Sequence, residues 1–147
     1  MKEIGVDVPF NYKTTSVADV LAKEGPIDIY WDNVGGKTLE DALEAATVHA
    51  RFIECGMISD YNAAEKYGVK NLFNLIVKRI SIHGFLVSDL LPKYRDEFYK
   101  TVPAMIARGE IKFLEDKKQG LDKAGEAIYE VQSGKNHGKS VIVVANS

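Results

Sequence analysis

Ile27, Ile29 and Trp31 alternate with Asp28 and Tyr30, and β-branched and aromatic side chains dominate the run, so it predicts a largely buried strand. That strand must end by Gly35. Its carboxyl end presents Asp32, Asn33 and the pair Gly35-Gly36, just before a helix predicted to start near Thr38. From the residues alone this turn is equally a ligand loop or an ordinary helix entry. Upstream, Lys2 to Gly5 reads as the last turn of a helix with a glycine stop. Val6, Val8 and Phe10 alternate as in a short strand, with Pro9 marking an edge and Asn11-Tyr12-Lys13 at its carboxyl end. Ser16 with Asp19 caps a short helix bearing Val17, Val20 and Leu21, which Gly25-Pro26 stops.

Downstream, Thr38 with Asp41 starts a helix whose Leu39, Ala42, Leu43 and Ala46 recur at helical spacing. Arg51 to Gly56 predicts the next strand, followed by a loop through Tyr61. Leu72, Phe73, Leu75 and Ile76 fit a short helix. Ile80, Ile82 and Phe85 to Val87 fit a strand interrupted by Gly84. A longer helix is expected over Tyr94 to Arg108, with Phe98, Val102, Met105 and Ile106 inward, a bend at Pro103 and an end at Gly109. Ile111 to Leu114 and Val141 to Val144 read as strands flanking a helix from Asp122 to Gln132, whose apolar face is Ala124, Ile128 and Val131. Strand and helix in alternation predict an α/β fold with a parallel sheet.

Composition narrows the function classes. At 147 residues and 46% hydrophobic, the chain can bury one good core. A net charge of -2 without a basic stripe argues against nucleic acid as a partner. No apolar run approaches membrane length and no signal-peptide pattern opens the chain, so the expectation is a soluble cytoplasmic protein without a membrane partner. One cysteine, Cys55, excludes an internal disulfide, and His49, His83 and His137 lack metal-ligand spacing. Taken singly, Cys55 reads as a small packed residue and Phe85 to Val87 as plain core.

Four stretches occur in order: Asn11-Tyr12-Lys13-Thr14, Tyr30-Trp31-Asp32-Asn33-Val34-Gly35-Gly36, Cys55-Gly56-Met57-Ile58-Ser59-Asp60-Tyr61-Asn62 and Gly134-Lys135-Asn136-His137-Gly138-Lys139. Together they resemble the prostaglandin reductase and 2-alkenal reductase branch of the zinc-independent medium-chain dehydrogenases/reductases, which use NADPH. The resemblance covers nearly the whole chain. It implies the carboxy-terminal part of such an enzyme. Residues 1–109 would be an incomplete Rossmann-like nucleotide-binding domain, and residues 110–147 a strand-helix-strand returning to a GroES-like domain that the chain lacks.

The Gly-rich pyrophosphate turn is not found in the sequence, and Gly134 to Ser140 leads into a strand pattern where a P-loop would open a helix. By resemblance, Tyr12 contacts the adenosine side of the cofactor near the 2'-phosphate, Asn33 contacts the cofactor, and Cys55, Gly56, Met57, Ile58, Ser59, Asp60 and Tyr61 wrap it. Phe85, Leu86 and Val87 would meet the nicotinamide carboxamide, and Asn136 would reach back to the cofactor. The implied chemistry is hydride transfer from NADPH to the β-carbon of an α,β-unsaturated ketone or aldehyde, then protonation of the enolate. Val77 stands where some relatives carry a tyrosine, so no catalytic acid is assigned, and Tyr61 and Tyr67 are the remaining candidates. The expectation is a chain inactive alone, with weak or absent NADP(H) binding. A homodimer through the strand around Ile80 to Val87 is also implied. The alternatives are a non-catalytic assembly module and a quinone or alcohol oxidoreductase of a neighbouring branch.

Overall fold

Ser16 Oγ accepts from Asp19 N at 3.4 Å and so caps the first helix, α1 (Val17–Glu24), as its sequence predicts. The computed structural model describes residues 2–145. They form two compact units, Val6–Arg95 and a second holding residues 96–145. No helix among the described residues is long and apolar enough to cross a membrane.

In the first unit β1 (Ile27–Asp32), β2 (Ala46–Glu54) and β3 (Ser81–Gly84) form a parallel sheet in the order β1-β2-β3. Helix α2 (Gly36–Ala45) makes the crossover from β1 to β2, and the short helical turns α3 (Ile58–Tyr61) and α4 (Asn74–Val77) lie between β2 and β3. The apolar stripe of α2, Leu39, Ala42 and Leu43, packs on Ala46, Ala50, Phe52 and Ile80. Tyr30 leans on Phe52 with ring centroids 5.1 Å apart. This is the Rossmann-like α/β arrangement expected.

Several boundaries differ from the sequence expectation, each for a local reason. Residues 6–10 form no strand, because Pro9 has no N–H to give a ladder and Val6 and Val8 lie exposed. Strand β2 begins five residues before Arg51, where Ala46 and Ala50 are small enough to lie under α2, and it accommodates a bulge at His49, whose φ is 69°. Helix α2 starts at Gly36, not Thr38. Phe85 to Val87 do not extend β3, since the next helix, α5 (Val87–Ala107), already begins there. On α5, Phe98 and Ile106 are exposed, against the expected inward face.

In the second unit, β4 (Glu115–Gln119) pairs in parallel with β5 (Lys139–Val143), and helix α6 (Ala124–Gln132) lies between them in the chain after a 3-10 turn at Leu121–Lys123. The strand falls on charged residues, not on Ile111 to Leu114. Lys117 pairs with Glu115 at 2.8 Å and Lys118 with Glu130 at 2.6 Å, so the charges on β4 are matched by neighbours. The buried residue of α6 is Ala127, while Ile128 and Val131 of the expected face are exposed.

Candidate functional site

Parallel strands deliver their following loops to one edge of the sheet, where open α/β folds bind ligands. Here β1 ends on Asp32 and β2 on Glu54, which are register partners, and Glu54 faces Gly84 of β3. Asp32 is fully buried. Its Oδ1 accepts from Val34 N at 2.7 Å, Gly35 N at 2.9 Å and the Tyr30 hydroxyl at 3.1 Å. This carboxylate serves the turn into α2 in place of the expected Thr38 cap, which is why the helix can start at Gly36. The Asp32 carbonyl accepts from Cys55 N at 2.9 Å and Gly56 N at 3.1 Å, drawing the second loop onto the first.

More bonds stitch the two loops together. Ile58 N donates to the Asn33 carbonyl at 3.1 Å, and Val34 O accepts both Ser59 N at 3.1 Å and Ser59 Oγ at 2.7 Å. Glycines permit the approach. A Cβ on Gly35, where φ is +70°, would lie 2.7 Å from Met57 Cβ, and one on Gly56 would lie 2.7 Å from the Tyr61 hydroxyl. That hydroxyl accepts from Met57 N at 3.2 Å.

Of the residues singled out in the sequence, Asn33 and the run Cys55, Gly56, Met57, Ile58, Ser59, Asp60 and Tyr61 therefore meet at the carboxyl edge of the sheet. Cys55 is exposed, not packed. Phe85 joins them through Phe85 N to Glu54 O at 3.4 Å and an edge-on contact with Trp31 at 5.7 Å. Leu86 and Val87 follow it and are exposed. Tyr12 stands on a separate turn, closed by Lys13 N to Asn11 Oδ1 at 3.0 Å and by Thr14 N and Thr15 N to the Asn11 carbonyl, with its ring 73% exposed. Asn136 belongs to the second unit. Its amide donates to the Gly138 carbonyl at 2.8 Å, while Gly138, at φ +95°, lies against the Leu114 backbone.

Electrostatics single out residues beyond this set. The Tyr30 hydroxyl is pushed upward by burial and then by the negative charge of Asp32. Burial first, and Asp32 second, push the Glu54 carboxyl up to about 7. Asp32 was expected only as part of the polar turn after β1, without a role of its own, and Glu54 was not expected at all, its only signal being a carboxylate at the end of an apolar strand. Tyr67, a candidate acid, is also held above the ordinary phenol range by burial and the neighbouring Glu40.

Not every concavity is a site. A cavity of about 480 Å³ lined by Leu21, Pro26, Ala46 and Lys78 lies by the starts of β1 and β2, at the edge away from these loops. Lys78 there donates to the Leu43 carbonyl at 3.3 Å and closes the end of α2.

Comparison with known proteins places the fold in a family. The model of a family described as zinc-binding dehydrogenase matches residues 4–142. The chain belongs to that family. It is 42% identical over 144 residues to a zinc-type alcohol dehydrogenase-like protein of Schizosaccharomyces pombe, with 97% of this chain and 41% of the relative aligned. It is also 42% identical to an NADP(+)-dependent 2-alkenal reductase of Nicotiana tabacum, covering 97% of the chain and 42% of the relative. The crystal structure of CurA in complex with NADPH from Vibrio vulnificus superposes with a TM-score of 0.85 at 33% identity, over 97% of this chain and 44% of that one.

This member of the zinc-binding dehydrogenases thus spans less than half the length of the curated relatives it matches, and its likeness falls on the alkenal-reductase-like branch. The family's name implies zinc. Among the described residues no three His, Cys, Asp or Glu side chains gather to hold a metal ion, so the residues present do not fit one.

Proposed function

We propose that the chain is the cofactor-domain part of an NADPH-dependent oxidoreductase that reduces the C=C bond of α,β-unsaturated ketones or aldehydes. The observation that carries the reading is the cluster of Asn33, Cys55 to Tyr61 and Phe85 at the carboxyl edge of a parallel sheet, in a chain similar to an alkenal reductase and to an enzyme captured with NADPH. The donor set suits the cofactor. Asn33 lends its carbonyl to Ile58 and leaves its amide exposed, and Tyr12 offers an exposed phenol, both able to donate to ribose or phosphate oxygens. Phe85, with Leu86 and Val87, supplies an apolar lip for a nicotinamide ring.

When bound, NADPH supplies the hydride, and the protein's part is to position it and exclude water. No residue is given the role of proton donor. The chain alone is expected to lack turnover. Each charge-assisted hydrogen bond contributes about 1.5 to 3 kcal/mol, so a cradle without the two or three phosphate hydrogen bonds of a Gly-rich turn binds roughly a thousandfold or more weaker. Calorimetric titration of the 147-residue chain with NADPH should give weak or undetectable heat. Micromolar binding would refute the argument from the phosphate turn.

A second reading rests on the sheet edges. Both outer strands, β1 and β3, offer a free side, and every residue of β3 is exposed, so the chain has the means to assemble as a homodimer without catalysis. Multi-angle light scattering over a wide concentration range should then find twice the chain mass of 16.3 kDa, whereas a monomer throughout would dismiss it. Quinones and alcohols remain substrates to be compared with enones on the complete enzyme.

A further inference from the structure

Asp32 and Glu54 bring two carboxyl groups together across the β1–β2 ladder. Asp32 Oδ1 has its three donors, but Asp32 Oδ2 and both Glu54 carboxyl oxygens are buried without a donor. Two ionised carboxylates so placed would repel each other with no water to screen them. One proton between them removes the conflict. A protonated carboxyl is a donor, Asp32 Oδ2 is an open acceptor within its reach, and the oxygen left over is then a neutral carbonyl.

We propose that Glu54 is a positioning residue whose protonated carboxyl donates to Asp32 Oδ2, forming a shared-proton latch that fixes the turn at residues 33–36 against the loop at residues 55–59. Asp32 is the hub of both loops, since its other carboxyl oxygen holds Val34 N and Gly35 N while its carbonyl holds Cys55 N and Gly56 N. Whatever pulls on the carboxyl of Asp32 therefore acts on both at once. Among the described residues, the charge that acts on Glu54 is that of Asp32. On β1, Tyr30 donates to Asp32 Oδ1; from α2, Asp41 adds negative charge near Tyr30. From β3 the partner of Glu54 is Gly84, with His83 one position earlier, and on α3 the Tyr61 hydroxyl is engaged by Met57 N beside Asp60.

The expected pH dependence has a definite sign. Glu54 titrates near 7 in the folded chain, above the ordinary 4.5, so the folded state binds a proton that the unfolded state has released between those values. The latch is complete below that window and opens as pH rises through about 7. Denaturant unfolding of the full chain, followed by the emission of its single tryptophan, Trp31, reads this directly. The unfolding constant should rise about tenfold or more between roughly pH 5.5 and pH 8, approaching a decade per unit at its steepest.

Glu54→Gln keeps a neutral donor and should flatten that rise, with its stability matching or exceeding the wild type at the upper end. Infrared difference spectra of the wild type should contain a protonated-carboxyl band that disappears through the same pH window. A flat wild-type profile, an equally steep E54Q profile or the absence of that band overturns the proposal. None of these measurements uses a nucleotide, so failure of the cofactor reading leaves them decisive. Should E54Q not fold, the wild-type profile and spectrum still decide.

Discussion

Phe52→Ala is expected to lower the stability of the Val6–Arg95 unit by about 3–5 kcal/mol, the largest loss of any single truncation in it. Phe52 is fully buried, sits in the middle strand, and touches Tyr30 on β1 while α2 covers it with Leu39, Ala42 and Leu43. Among the described residues it is the largest fully buried side chain. Because domains of this size are stable by only about 5–15 kcal/mol, the variant should be largely unfolded in mild denaturant. Urea titration followed by Trp31 emission measures the change, with Phe52→Leu as a volume-sparing control expected to lose less than about 1.5 kcal/mol. A loss under about 1 kcal/mol for the alanine variant would mean that the core is not organised around this ring.

Gly35→Ala should cost about 2–4 kcal/mol, because it combines a left-handed backbone with a collision. The added Cβ would meet Met57 Cβ at 2.7 Å and Met57 Cγ at 2.8 Å, and the Met57 backbone at 3.2 Å blocks an easy escape. Gly109→Ala is the matched control, with φ at +73° and no neighbour within 4 Å, and should lose only about 1 kcal/mol. The difference between the two reports the contact between the loops together with the backbone of Gly35, whose ψ of -157° at positive φ is open almost only to glycine. Beyond stability, the substitution must move Met57 away, and with it the bonds from Ile58 and Ser59 to residues 33 and 34. Backbone amide shifts confined to residues 33–36 and 55–61 would confirm that route, whereas equal losses for both variants would reduce Gly35 to a backbone requirement.

The sequence made the existence of β1, the apolar stripe of α2 and the glycine turn between them legible, but alternation picked the wrong face of β1, since Ile29 and Trp31 are exposed while Tyr30 packs on the core and Asp32 is buried. It misled at the start of α2. Thr38 and Asp41 satisfy a capping pattern, yet a carboxylate from the preceding strand, Asp32, serves the turn first. Strand β4 was hidden because hydropathy points to Ile111 to Leu114, while the backbone pairs at Glu115–Gln119. The loops at Asn33 and Cys55 to Tyr61 were legible as motifs, and their meeting follows from parallel strands. Glu54 was not, because a lone carboxylate between Ile53 and Cys55 reads as a solvent-facing residue; only the register with Asp32 reveals its partner.

Strand β4 also gives the small sheet of the second unit two unlike borders. One border is built of Glu115, Asp116, Lys117 and Lys118, whose like charges repel an identical strand laid alongside in register, while the other carries Val141, Ile142 and Val143 and has no such protection. Growth of that sheet by a stray polypeptide is therefore one-sided. Any fibrillar aggregation of the chain through this unit should begin at β5.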